Sequence, residues 1–515
     1  MISNKVQLIT YPDSLWTNLK ELKLVLDKKF EWKIQAVHIL PYYPSSSDRG
    51  FSPITQLSVD PNFWDRQDIK SISQNYELVS DLMVNHISSQ SKEFQDFLQN
   101  WDNSKYSDWF MTWEKFSKRI NLRFKSKIYN SILDWLWKIT NNLRKLDFIF
   151  HKDWINRFSL RKIYRPRPGS PFVKFKVKNK KYKNIWCTFS SDQIDIDTDN
   201  TDVKNYLKNS IENLANNWVK LLRLDAFWYT GKKRWTNNFL TNKSYEFLAE
   251  LIKICKENWI KTLPEIHNHY LIQNEIANVD WVDYVYDFAL PMLTLYSLYF
   301  EDNKYLSKWL SIRTNNCITT LDTHDGIWVV DVEDIMSKKD IDKTIANLHT
   351  MWWNDSKRAS WANAENVDIY QINCTYYSAV WEDDNSYITA RAIQFFIPGI
   401  PQVYYVWLLA GKNDMEKLEI TNVWRDINRH NYSLEEIDEH IQKDVVKRLF
   451  KLIEFRDNYP AFNWDFEELD SESNEIKLKR SYKDYYCILH SDLKKKKSII
   501  TYYNDDSWKE EKIEL

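Results

Sequence analysis

The chain has 515 residues, with 71 Lys and Arg against 72 Asp and Glu and a formal net charge of −1; no global electrostatic pull draws it to nucleic acid or to a membrane surface. That length exceeds a usual single hydrophobic core and calls for several domains or one large barrel with insertions. Its most unusual feature is 25 tryptophans against 6 glycines, where ordinary usage of roughly 7% would give about 36 glycines.

Short apolar, β-branched runs recur along the chain, with charge-rich helix-like segments between them. In order they are VQLITY (6–11), IQAVHIL (34–40), YELVSDLMV (76–84), VKLLRLDAF (219–227), IKTLPEIH (260–267), YVYDFAL (284–290), CITTLDTHD (317–325) and IPQVYYV (400–406). Near-continuous apolar strands alternating with helices make a parallel sheet. Eight such units predict an α/β fold, a (β/α)8 TIM barrel whose chemistry sits at the C-terminal ends of its strands. Roughly 130 residues separate the third and fourth runs, far beyond an ordinary βα loop, so an inserted lobe is expected over 85–199. A second gap predicts an excursion over the barrel mouth at 327–379, carrying ANAENVDIYQINCTYYS (362–378). Short strands with charged turns follow, a C-terminal β domain over 462–515; the barrel keeps 1–84, 200–326 and 380–461. The basic, aromatic-rich segment Lys115 to Arg161 reads as an amphipathic helical lid with a solvated face, and Lys494 to Lys497 as a solvated turn.

The start of the chain has no charged segment followed by an apolar one, and no apolar run reaches membrane-spanning length, so a soluble, cytoplasmic chain without membrane or nucleic-acid partners is expected. Cys187, Cys255, Cys317, Cys374 and Cys487 are odd in number, widely spaced and without a CxxC pair. Buried thiols are expected rather than disulfides or a zinc site. No metal signature of another kind is present either.

The tryptophans fall where backbone logic asks for glycine. Trp352, Trp353, Trp361 and Trp424 lie among Asn, Asp, Ser and Arg, a turn-like setting that favours positive φ. The simplest expectation is that many are specified by UGA, a codon that some bacterial lineages decode as glycine. Trp109, Trp113 and Trp186, among aromatic and β-prone neighbours, read as authentic. With literal indoles, bulky rings are expected in turns around Asp225, Gly326 and Arg425, with Trp228 and Trp424 crowding the site.

Three carboxylates stand at strand ends: Asp225 in RLDAF, Glu265 in LPEIH and Asp325 in DTHDG. A charge at the end of an apolar strand must face a polar mouth, because burying it unpaired costs several kcal/mol. Paired carboxylates in one mouth suit glycosidic chemistry, one attacking the anomeric carbon while another, kept protonated, donates to the leaving oxygen. Arg223 lies two residues before Asp225 on the same strand face, and His324 lies beside Asp325.

The strings NHIS (85–88), RLDAF, PEIH and LDTHDG resemble the four characteristic regions of the α-amylase superfamily (glycoside hydrolase family 13). PYYPSSSDRGFSPI (41–54), IYRPRPGSPF (163–172), YDFALP (286–291), DTHDGI (322–327), NVDIYQINCTYYSA (366–379), PGIPQVYYV (398–406), LAGKNDM (409–415) and RDINRHNYS (425–433) resemble its sucrose phosphorylase subfamily more closely. The likeness covers nearly the whole chain; it departs between Trp113 and Ile163, where the segment is basic and enlarged. The family has glycine where this chain has Trp228, Trp235, Trp328, Trp361, Trp381, Trp407 and Trp424, while Gly50, Gly169, Gly326, Gly399 and Gly411 fall inside the family strings.

The resemblance implies a hexosyl-transferring enzyme that phosphorolyses sucrose reversibly to α-D-glucose 1-phosphate and fructose by double displacement. Inorganic phosphate is a co-substrate, and no other cofactor is implied. Asp225 would be the nucleophile, Glu265 the general acid and base, and Asp325 the transition-state stabiliser. Arg223, His86 and His324 would hold the glucosyl unit, Asp48 and Arg425 would close the far side of its pocket, and Phe51 would be its platform. Arg167, Asp368, Tyr370 and Gln371 match two mobile loops on the acceptor side, with Arg167 and Tyr370 offsetting the charge of phosphate. Relatives acting on sucrose 6-phosphate, glucosylglycerol or glucosylglycerate stay open as alternatives, as does an α-glucoside hydrolase. Oligomeric state is not legible, and a homodimer stays open.

Overall fold

The structure, a computed structural model, describes residues 2–118, 160, 163–165, 170–178, 181–350, 371–504, 507 and 509–515. Each of the eight apolar runs is a strand: β1 Gln7–Thr10, β2 Ala36–Ile39, β3 Glu77–Met83, β4 Val219–Asp225, β5 Lys261–Pro264, β6 Val285–Asp287, β7 Cys317–Thr319 and β8 Ile400–Tyr404. They form one parallel sheet in the order β6-β7-β8-β1-β2-β3-β4-β5. Its two ends meet through the Tyr284 amide, which donates to the Thr262 carbonyl at 3.1 Å. The sheet is an eight-stranded barrel.

Its interior is packed by Val79, Leu221, Leu263, Tyr286, Ile318 and Ile400, all buried. Side chains alternate along a strand, so Leu221, Arg223 and Asp225 of β4 share the inward face: the first fills the barrel and the last two reach its mouth. Helices cover the outside, and several begin on side-chain caps. Asn18 accepts from the Glu21 amide before Leu19–Lys29, Asn200 caps Thr201–Asn216 and Thr241 caps Asn242–Glu257.

Between β3 and β4 the chain leaves the barrel. His86–Ser88 pairs antiparallel with Gln193–Asp195, and Phe172–Lys176 with Tyr182–Trp186. Most of the basic segment expected to be a lid, 119–159, lies outside the described residues. After β7, Ile327–Trp328 pairs with Gln371–Ile372, which brings Gln371 back over the mouth. The chain ends in a five-stranded antiparallel sheet, β9 Asp465–Glu468, β10 Glu475–Tyr482, β11 Tyr485–Asp492, β12 Lys497–Asn504 and β13 Lys509–Glu514. Its lysine run forms the β11–β12 turn, where Asp492 accepts from the Lys494 and Lys495 amides.

All five cysteines are buried free thiols. Among the described residues no helix is long and apolar enough to cross a membrane. Among the described residues, twenty-one other than glycine have positive φ, and nine of them are tryptophans: Trp16, Trp32, Trp64, Trp101, Trp218, Trp235, Trp259, Trp281 and Trp381.

Candidate active site

β4 ends at Asp225, and Ala226 at once turns left-handed (φ 56°), so the Asp225 carboxyl stands at the rim of the barrel rather than inside it. Glu265 follows β5, and its amide donates to the Leu224 carbonyl at 3.3 Å, fixing it beside β4. Arg223 joins the two. Its Nη1 donates to Asp225 Oδ1 at 3.1 Å and its Nη2 to Glu265 Oε1. Nη1 also reaches Asp81 Oδ1 at 2.5 Å, and Asp81 Oδ2 lies 2.8 Å from His38 Nε2. The cross-strand register sets this up, since Asp81 of β3 is the partner of Arg223.

One guanidinium thus faces three buried carboxylates, which does not neutralise them. Burial, reinforced by Glu265, pushes the Asp225 carboxyl up to about 7 against the pull of Arg223. Burial likewise lifts Glu265 to about 7, with Arg223 opposing and Asp325 adding to the rise. The two titrate as a pair, and with both raised towards neutrality they can share a proton there. Asp81 behaves differently; burial would raise it, but His38 and Arg223 outweigh burial and hold it at about 2.

Asp325 follows β7. Burial is overcome by Arg425, His324 and Arg429, which hold its carboxyl far below the usual range. Arg425 Nη1 lies 3.1 Å from Asp325 Oδ1 and 3.5 Å from Asp48 Oδ1, closing the pocket from the opposite side. The loop carrying Asp48 needs Gly50: at φ 105° a Cβ there would sit 2.4 Å from the Pro41 carbonyl. Phe51 stacks on His324 with ring centroids 4.8 Å apart and planes 4° apart, making a flat floor. The His86 ring nitrogen Nε2 donates to the Phe51 carbonyl at 2.8 Å.

Asp48, Phe51, His86, Arg223, Asp225, Glu265, His324, Asp325 and Arg425 line one cavity of about 600 Å³, and Gln371 lies in its wall. Arg167, Asp368 and Tyr370 lie outside the described residues. Trp228 and Trp424 line the cavity as well without closing it, so the expected crowding leaves room for a sugar ring.

Several site residues escaped the sequence reading. His267 Nε2 is 3.1 Å from Glu265 Oε1; its spacing of two from Glu265 in PEIH was the available signal. Burial holds His267 well below its ordinary value, so it stays neutral. Asp81 is a fully buried acidic residue in the middle of β3, and Arg429 donates to the His324 carbonyl at 2.9 Å. Ligand atoms of Glu265, His267 and Asp325 lie within 4.8 Å of one another, close enough to hold a metal ion, but both carboxylates are already paired with Arg223 and Arg425.

Behind the pocket, Lys232 is buried. Its ammonium donates to Asn85 Oδ1 (2.8 Å), to the Tyr229 carbonyl (2.9 Å) and to Asp195 Oδ2 (2.6 Å). Asn85 Nδ2 donates to the same Asp195 oxygen at 3.0 Å. The cation ties a strand of the inserted segment to the loops after β3 and β4.

The barrel and its paired carboxylates define the chain as an α-amylase-type glycosyl-transferring enzyme. An α-amylase structure from H. orenii shares that fold at 12% identity, with a TM-score of 0.62 over 96% of this chain and 90% of that one. No family model matches the sequence. Individual relatives do. The chain is 41% identical over 486 residues to the sucrose phosphorylase of Streptococcus mutans, covering 94% of each. It is 39% identical to the glucosylglycerol phosphorylase of Marinobacter adhaerens, over 98% of this chain and 97% of the relative. The crystal structure of sucrose 6F-phosphate phosphorylase from Thermoanaerobacter thermosaccharolyticum superposes with a TM-score of 0.89 at 39% identity, covering 100% of this chain and 98% of that one. The chain belongs to the sucrose phosphorylase family of glycoside hydrolase family 13.

Proposed function

We propose that the enzyme phosphorolyses sucrose, with Asp225 as nucleophile and Glu265 as acid and base. The Asp225 carboxylate attacks the anomeric carbon of the glucosyl unit while the bond to the fructosyl oxygen breaks and Glu265 gives that oxygen its proton. A β-glucosyl ester and free fructose result. Phosphate then attacks the ester carbon, Glu265 takes back a proton, and Asp225 is released with α-D-glucose 1-phosphate. The carrying observation is Arg223, which bridges the two carboxylates while burial raises both. One proton on that pair is what a double displacement needs.

Asp325, ionised between Arg425 and His324, stabilises the oxocarbenium-like transition state and binds sugar hydroxyls. Asp48, Phe51, His86, His324 and Arg425 hold one glucosyl unit, while Arg167, Asp368, Tyr370 and Gln371 shape the acceptor side and the phosphate position. The domain division 1–84, 200–326 and 380–461 for the barrel, with 85–199, 327–379 and 462–515 as added parts, belongs to the same reading, as does a cytoplasmic setting with small-molecule partners only.

The lean towards plain sucrose over sucrose 6-phosphate rests on the acceptor-side strings RPRPG (165–169) and NVDIYQ (366–371), which resemble those of the sucrose-acting members. Glucose 1-phosphate release from sucrose, sucrose 6-phosphate, glucosylglycerol and glucosylglycerate tests the choice. The highest kcat/KM is expected for sucrose; a preference for any other donor overturns it, and glucose release that ignores phosphate points to a hydrolase.

A further inference from the structure

Three groups stand out among the described tryptophans. In the first the ring is buried and the indole is used. Trp186 Nε1 donates to Thr188 Oγ1 at 2.9 Å, Trp309 Nε1 donates to Asp287 Oδ1 at 3.0 Å, and Trp109 packs between Tyr106 and Tyr206. None of these has positive φ.

In the second group φ is positive and most of the rings lie in water, while Trp16 and Trp101 pack partly against the core. Trp259 is 91% exposed and Trp32 is 80% exposed; Trp64, Trp218 and Trp281 are also exposed. A side chain with a Cβ is disfavoured at such φ, and what the exposed rings meet is a surface lysine, Lys20 at Trp64, Lys220 at Trp218 and Lys256 at Trp281, a contact worth little in water. Their places in the fold repeat. Trp218 and Trp259 directly follow the capping residues Asn217 and Asn258 of the helices that lead into β4 and β5. The Ile260 amide after Trp259 reaches back to the Cys255 carbonyl at 2.9 Å. That is the left-handed helix stop where glycine is the usual residue. Trp64 (φ 84°, ψ −126°) and Trp101 (φ 46°, ψ −114°) sit in a region that glycine enters freely and other residues rarely.

A third group crowds the chemistry. The Trp328 ring lies 3.4 Å, centroid to centroid, from His267, on the Glu265 side of the cavity, and Trp228 meets the same histidine edge-on at 6.1 Å. Away from the cavity, the buried Trp407 indole nitrogen has no hydrogen-bond partner among the described residues, unlike Trp186 and Trp309.

We infer that the native polypeptide carries glycine at Trp16, Trp32, Trp64, Trp101, Trp218, Trp235, Trp259, Trp281 and Trp381, specified by a codon, UGA, that its source decodes as glycine, and that Trp228 and Trp328 are glycines of the same origin. The side of the cavity beyond Glu265 is then wider by two indoles. That is the side where the departing fructose and the incoming phosphate must pass, so the native site takes a bulkier acceptor than the literal chain.

Two measurements decide the nine positions without reference to activity. Peptides of the native protein spanning Trp218 or Trp259 should have the mass of glycine there; an indole at either refutes the inference. Replacing all nine by glycine in the literal chain should raise the thermal midpoint by roughly 5 °C or more, and Trp259→Gly alone should raise it measurably. Trp186→Gly and Trp309→Gly, as controls, should lower it. A lower midpoint for the nine-fold variant or for Trp259→Gly overturns the inference even if the controls behave. The assignment at 228 and 328 rests on the proposed reaction: Trp228→Gly with Trp328→Gly should raise the rate of glucose 1-phosphate formation at least tenfold and lower the KM for fructose in synthesis. An unchanged rate in a folded double variant overturns that part while leaving the stability result standing.

Discussion

Arg223 lies between Asp81, Asp225 and Glu265, all buried, so Arg223→Ala leaves three carboxylates without their cation. Removing one partner of a buried ionic cluster costs about 3–5 kcal/mol, and thermal denaturation of that variant should show a loss of this order. Glu265→Gln keeps the shape and removes the proton. Its kcat on sucrose should fall by about 10²–10⁴, whereas an activated donor such as α-glucosyl fluoride, whose leaving group needs no proton, should still glucosylate the enzyme. Equal losses on both donors would show that Glu265 is not the acid. The pH profile follows from the pair. With both carboxyls lifted to about 7, activity should rise as the first proton leaves and fall as the second leaves, giving a bell. Stability runs with opposite signs at neighbouring residues. Asp225 and Glu265 bind protons more tightly when folded, so what they contribute is complete below about pH 4 and is lost as pH rises through about 7. Asp81, held at about 2, contributes above about pH 4 and loses it as pH falls towards 2.

Lys232 is the element-scale counterpart, an ammonium that ties the strand carrying Asp195 to the Asn85 and Tyr229 loops. His86 follows Asn85 directly and lines the pocket. Lys232→Met should therefore lower the thermal midpoint and raise the KM for sucrose, and Lys232→Arg should restore part of both; an unchanged KM would remove the link between this tether and the glucosyl pocket. The eight barrel strands were legible because each is a nearly unbroken apolar run, and Asp225 and Glu265 because a charge ending such a run has nowhere to go but the mouth. Asp81 and His38 were not: each reads as an isolated polar residue in a buried strand until the register of β2, β3 and β4 brings them together with Arg223. His267 was hidden for the same reason, since its role depends on where Glu265 turns. Arg167, Asp368 and Tyr370 are suggested by family strings alone, because short polar segments have no periodicity to read, and they lie outside the described residues.

At the scale of the whole molecule, the C-terminal sheet is part of one packed body with the barrel. The Ser498 hydroxyl on β12 donates to Thr389 Oγ1 at 3.0 Å on the helix Asp384–Phe396, which is buried along its middle and C-terminal turns, and Asn303 Nδ2 donates to the Glu475 carbonyl at 2.7 Å. A chain ending before 462 uncovers that helix and should be insoluble or aggregate on expression; a soluble, active truncation would show the sheet to be dispensable. The barrel, the bridged carboxylates and the closed glucosyl end converge on one reaction with defined stereochemistry. The most direct test is to incubate the native enzyme with sucrose and phosphate and identify the anomer of the product before it equilibrates. The account predicts α-D-glucose 1-phosphate with equimolar fructose, formed only when phosphate is present; β-D-glucose 1-phosphate, or glucose in its place, would contradict it.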